Sequence, residues 1–115
     1  MTELTLYSDK YIIVTSNNLT IKDYYFPFGI SFTIPLTEII SVDTAEELSL
    51  GFWAIKGWGM AFSNIWFAFD LKRHFISKSK IGVVKVQNHG IRKGFSVEDD
   101  MGIDTLKTAW RDANN

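Results

Sequence analysis

Residues 81–110 constrain the fold more than any other part of the chain. The run Ile81-Gly82-Val83-Val84-Lys85-Val86-Gln87 is rich in β-branched residues, Asn88-His89-Gly90 is a turn, and Ile91-Arg92-Lys93-Gly94-Phe95-Ser96-Val97 is a second β-rich run. Two such runs around an Asn/Gly turn predict a hairpin. The acidic step Glu98-Asp99-Asp100 then offers an N-cap for a terminal helix. On that helix Ile103, Leu106, Trp110 and Ala113 fall on one face by their spacing, with acids early and Lys107 and Arg111 late, as the helix dipole favours. Each large apolar side chain fully buried contributes roughly 1.5–3 kcal/mol, so the helix is expected to dock on the strands.

A chain of 115 residues holds one domain with a single core. The aromatic share is 15%, with nine Phe and four Trp, so that core is expected to rest on a few large rings. The sequence has no Cys, which excludes disulfides, thiol nucleophiles and Cys-based metal sites. Together with an N-terminus lacking a signal-peptide pattern, this makes the cytoplasm the expected compartment, with at most peripheral contact to a membrane. Twelve basic against thirteen acidic side chains give no global attraction to anionic partners.

Upstream, Tyr11-Ile12-Ile13-Val14-Thr15 and Leu19-Thr20-Ile21-Lys22-Asp23-Tyr24 flank the turn Ser16-Asn17-Asn18 and predict a first hairpin, with Leu19 and Ile21 on one face. Phe26-Pro27-Phe28-Gly29 breaks that pairing, and Pro35 bars Phe32-Thr33-Ile34-Pro35 from the centre of a sheet. Thr37-Glu38 suggests a brief helical turn before a strand over residues 40–44. Residues 50–71 have the length of a membrane span, roughly 20 residues. Lys56, Ser63, Asn64 and three glycines argue instead for two strands, one from Gly57 and one around Trp66, turning at Ser63-Asn64.

No constellation in the chain carries enzyme chemistry. His74 and His89 lack companion ligands at metal-binding spacing. No serine sits in a nucleophile elbow, and Gly57-Trp58-Gly59 lacks the Lys-Ser/Thr of a phosphate loop. The carboxylate pairs Glu46-Glu47 and Asp99-Asp100 read as a turn and a helix cap. No cofactor is implied. One feature suggests an anionic partner: residues 71–97 contain Lys72, Arg73, Lys78, Lys80, Lys85, Arg92 and Lys93 and no carboxylate. Scattered lysines on alternating strands usually form a solvated face, and they set nucleic acid aside. A membrane surface fits better, with Phe52, Trp53, Trp58 and Trp66 at the interface if exposed.

The residue order resembles the bacterial PH domain family of the pleckstrin-homology superfold. Ile34-Pro35-Leu36, Ile39 and Val42 look like that family's strand-and-turn pattern. Gly57-Trp58-Gly59-Met60 resembles its glycine-containing mid-barrel strand, and the hairpin and helix of residues 83–110 resemble its closing elements. The resemblance spans most of the chain and implies a mostly β, PH-like bent antiparallel barrel of about six or seven strands, capped by one C-terminal helix. It implies a non-enzymatic module that binds lipids, peptides or proteins, or forms a homo-oligomer. One departure is plain: inositide-binding members cluster basic residues in the first hairpin, whereas residues 11–24 offer only Lys22. The expected function is therefore protein binding or self-association, through residues 52–66 or an exposed strand edge. The alternatives are an anionic-membrane binder using Lys72, Arg73, Lys78, Lys80, Arg92 and Lys93, or a carrier of a small apolar ligand.

Overall fold

The computed structural model describes residues 4–25, 30–48, 65–67 and 80–115. The alternating runs form two four-stranded sheets. The first sheet contains β1 (Thr5–Ser8), β2 (Ile12–Thr15), β3 (Asn18–Tyr25) and β4 (Ile30–Pro35), in that order and antiparallel throughout. Among the described residues Pro35 lies on an edge strand, since β4 closes the sheet on one side. The predicted first hairpin is β2–β3, with Ile12 opposite Ile21 and Val14 opposite Leu19, and all four side chains are fully buried. β1 was not anticipated; it adds a strand outside that hairpin. After Ile21 the register with β4 shifts, which lets Tyr24 face inward with Leu19 and Ile21.

A 3-10 turn, Leu36–Glu38, leads into β5 (Ile39–Thr44), as the Thr37-Glu38 pair suggested. The second sheet has the order β5, β7 (Ile81–Val86), β8 (Arg92–Ser96) and β6 (Ile65–Phe67). The predicted closing hairpin is β7–β8, with Gly82 opposite Phe95 and Val84 opposite Lys93. Its connection places Asn88 at φ 66°, a left-handed conformation that Asn tolerates better than most residues. β6 pairs parallel to β8, which departs from the expected all-antiparallel arrangement. Among the described residues the two sheets are not joined into a closed barrel. The rest of the predicted pair of strands over residues 50–71, and the break at residues 26–29, lie outside the described residues.

The terminal helix α1 (Met101–Ala113) holds the two sheets together. Ile103, Leu106 and Ala109 enter one cluster with Ile12, Ile34, Val84 and Phe95, so both sheets and the helix share a core, and Trp110 and Ala113 pack against its rim. Polar contacts fix the helix axis. The Trp110 indole N–H donates to the Ile39 carbonyl at 2.7 Å, and the Asn114 amide donates to the Leu36 carbonyl at 3.1 Å. Of the two acids expected to cap the helix, Asp99 does so: its Oδ1 accepts the Met101 N–H at 2.9 Å.

The other acidic pair has a structural role as well. Glu47 accepts the Thr44 N–H at 3.0 Å while its own N–H donates to the Thr44 hydroxyl at 2.9 Å, the reciprocal pattern of a capping box. Its Oε1 also lies 2.7 Å from the Lys107 ammonium. That hydrogen bond is the main reason the Glu47 carboxyl is held below its usual range. No helix among the described residues is long and apolar enough to cross a membrane.

Candidate functional site

β1 is a short edge strand, and among the described residues it pairs with β2 alone. A turn then has to bring the chain back into β2, and Asp9 builds it. Its Oδ1 accepts the N–H groups of Tyr11 and Ile12 at 2.7 and 2.9 Å, an arrangement that Asp favours in turns. Its Oδ2 accepts the Tyr7 hydroxyl at 2.5 Å and the Glu98 N–H at 2.9 Å. Glu98 returns the contact, accepting the Lys10 N–H at 2.8 Å. The first turn of the chain is thereby latched to the segment that enters the helix.

This latch sets β1 beside α1. Tyr7 lies against the first helical turn at Gly102, where an added Cβ would come within 2.8 Å of the ring. Burial, and next the hydrogen bond to Asp9, push the Tyr7 phenol well above its ordinary value of 10.0. The unfolded chain ionises this phenol near 10 while the folded chain keeps it protonated. Its stabilising contribution is therefore complete below pH 10 and is lost as pH climbs toward the folded value. Urea midpoints of wild type and Tyr7→Phe between about pH 8 and pH 11 are expected to converge with rising pH, at no more than about 1.4 kcal/mol per pH unit.

Between β1 and the helix runs an open groove of about 410 Å³, lined by Leu6, Asp104, Thr105, Thr108, Ala109 and Asp112. The helical lining residues are spaced as one stripe, adjacent to the stripe that enters the core. Leu6 is itself 42% exposed, and Leu4 before β1 and Met101 at the start of α1 are each 65% exposed. Among the described residues the lining of the groove contains two carboxylates and no basic group, and Lys107 is turned toward Glu47. Neither Asp104 nor Asp112 has a side-chain hydrogen bond or ion pair among the described residues.

The residues expected to bind an anionic surface are placed differently. Phe52, Trp53, Trp58, Lys72, Arg73 and Lys78 lie outside the described residues, as does His74. Trp66 falls in β6, paired with Lys93, and its side chain is likewise outside them. Lys80 and Arg92 are half-buried, at the starts of β7 and β8; the Lys80 carbonyl accepts the Val97 N–H at 2.9 Å. Lys93 does not join a solvated face. It is only 9% exposed, shares the inward side of β8 with Phe95, and sets its ammonium 5.8 Å from the Phe32 ring centre. That desolvation lowers its pKa. Phe32 in turn stacks on Tyr24 at 5.1 Å and meets the exposed His89 at 6.2 Å. Among the described residues no cluster of three or more His, Asp or Glu side chains is arranged to hold a metal.

Sequence reading missed β1, the Asp9 latch and the groove. The alternation Leu4-Thr5-Leu6-Tyr7 followed by Ser8-Asp9-Lys10 was a strand-and-turn signal, though a short one. No family model, curated protein or solved structure matches the chain.

Proposed function

We propose that the chain is a non-enzymatic module of PH-like type that acts by binding a protein partner or a second copy along the edge of its first sheet. The observation that carries this reading is the combination at β1: a sheet edge with exposed Leu4 and Leu6, running beside a groove in the capping helix. Unpaired edges are templates for an incoming strand, and proteins ordinarily blunt them with charge or proline. Among the described residues this edge, Thr5–Ser8, carries neither, and only its shortness and the register shift between Thr5 and Tyr7 blunt it. The PH-like assignment rests on the order of motifs quoted above, supported by a mostly β chain whose C-terminal helix packs on both sheets. The membrane reading is weaker, because the burial of Lys93 removes one charge from any such surface. The carrier reading is weaker too, since Phe95, Leu19, Ile12 and Leu106 fill the space between the sheets.

The test uses bis-ANS, a probe of accessible apolar surface, with amide chemical shifts as the readout. Shifts are expected over β1 and over the helical residues of the groove, reduced severalfold by Leu6→Lys in a chain that melts as wild type does. Shifts confined to residues outside β1 and the helix would place the binding surface elsewhere.

A further inference from the structure

The geometry points to one class of occupant for this edge: an extended peptide in which two basic residues flank an apolar one, in the pattern basic-x-apolar-x-basic. The inference rests on the reading of β1 as a binding edge and adds the chemistry of what binds. An incoming strand would pair its backbone with β1 and turn alternate side chains toward the helix. Along the helix the groove runs from Asp104 to Asp112, a rise of roughly 12 Å at about 1.5 Å per residue. Four residues of extended chain span roughly 13 Å at about 3.3 Å each, so residues i and i+4 of a strand laid along the helix match the two carboxylates. Residue i+2, on the same face, then falls over the apolar middle formed by Leu6 and Ala109. Thr105 and Thr108 add hydroxyls between these positions.

The charge pattern chooses among occupants. A second copy docked β1 to β1 would bring an acidic stripe against its own image, and like charges across an interface oppose association. An acidic or phosphorylated segment meets the same two carboxylates. A basic strand meets, at both ends, carboxylates with no partner among the described residues, and an apolar seat between them.

The experiment is fluorescence anisotropy with the full chain and a labelled peptide containing Lys-Thr-Val-Thr-Lys. Controls carry Glu for Lys, or place the two lysines side by side. The Lys peptide is expected to bind, and raising salt from about 50 to 500 mM should weaken it severalfold by screening. Asp104→Asn with Asp112→Asn should weaken it roughly fivefold to tenfold, about what two exposed charge contacts contribute. The chain stays folded, and its melting temperature falls only by the small amount that losing Asp104 from the first helical turn costs. Amide shifts should appear on β1 and on helical residues of the groove. Equal binding by wild type and the double variant, or by the Lys and Glu peptides, overturns the inference. No Lys-peptide binding while bis-ANS still maps to β1 overturns this occupant and leaves the edge as a binding surface; failure of both probes removes both readings. A dimer seen by light scattering at low salt and abolished by Leu6→Lys would assign the edge to a second copy and overturn the inference as well.

Discussion

Gly82→Ala is expected to remove about 3 kcal/mol of folding stability, the upper end of what overpacking of a close-packed core costs. Gly82 sits in β7 on the face that looks into the core, directly opposite Phe95. A Cβ there would stand 2.5 and 2.6 Å from two carbons of the Phe95 ring and 2.7 Å from the Ile103 Cδ1. A flexible side chain could yield its tip at small cost. Phe95 is fully buried and Ile103 is 2% exposed, so the ring has nowhere to swing without displacing the helix that covers it. For a domain whose whole stability is about 5–15 kcal/mol, the loss is large, and the melting temperature should fall by roughly 10–15 °C. Chemical denaturation measures it. Phe95→Leu in the same chain should return part of the loss, because the two changes share one volume and their effects will not add. A cost below about 1 kcal/mol for Gly82→Ala alone would mean that the ring is not confined as described.

Asp9→Ala has the second large effect, of about 2–3 kcal/mol, by a different mechanism. One carboxylate accepts from Tyr7, Tyr11, Ile12 and Glu98, and its loss strands three backbone N–H groups and a phenol together. Hydrogen bonds to a charged acceptor contribute more than neutral ones, and the part-buried donors of Tyr7, Tyr11 and Ile12 would be left poorly solvated besides, whereas the exposed Glu98 N–H can turn to water. Asp9→Asn keeps one acceptor oxygen and should lose about half as much. Denaturant midpoints give the totals, and amide exchange at Tyr11, Ile12 and Glu98 localises them. Loss of protection at Tyr11 and Ile12 with none at Glu98 would show that the latch to the helix does not depend on Asp9.

The first hairpin was legible because a strand with one buried face writes a period of two into its sequence, and the second because two β-rich runs flank an Asn/Gly turn. Leu19 and Ile21 show that period and are buried as it requires, whereas in β7 Ile81, Val83, Val84 and Val86 are buried on both faces. The helix was legible as the first hairpin was, from Ile103, Leu106 and Trp110. Pairing between distant segments leaves no such trace. Nothing local in Ile65-Trp66-Phe67 says that it lies parallel to β8 rather than antiparallel to a neighbour. Lys93 misled because strand alternation fixes only which residues share a face; the neighbours decide whether that face is wet. Here Phe32, from the other sheet, sets its ring beside the Lys93 ammonium. The groove depends on β1, whose four residues carry too short a pattern to stand out, and on a carboxylate contact across nearly the whole chain.

That contact has a consequence for how the chain is made. Asp9 and Glu98 are 89 residues apart, and Lys10 and Glu98 are 88 apart. At about 5–20 residues per second, synthesis takes roughly 5–18 s to travel from one to the other. The strands β1 to β4 are neighbours in sequence and can pair in that time, but the helix that seats against Tyr7 is made only after all the other described elements. For those seconds the nascent sheet displays its inner face and its first strand with no helix over them. A chain released before Trp110 would keep that exposure permanently, as an open sheet with a sticky margin.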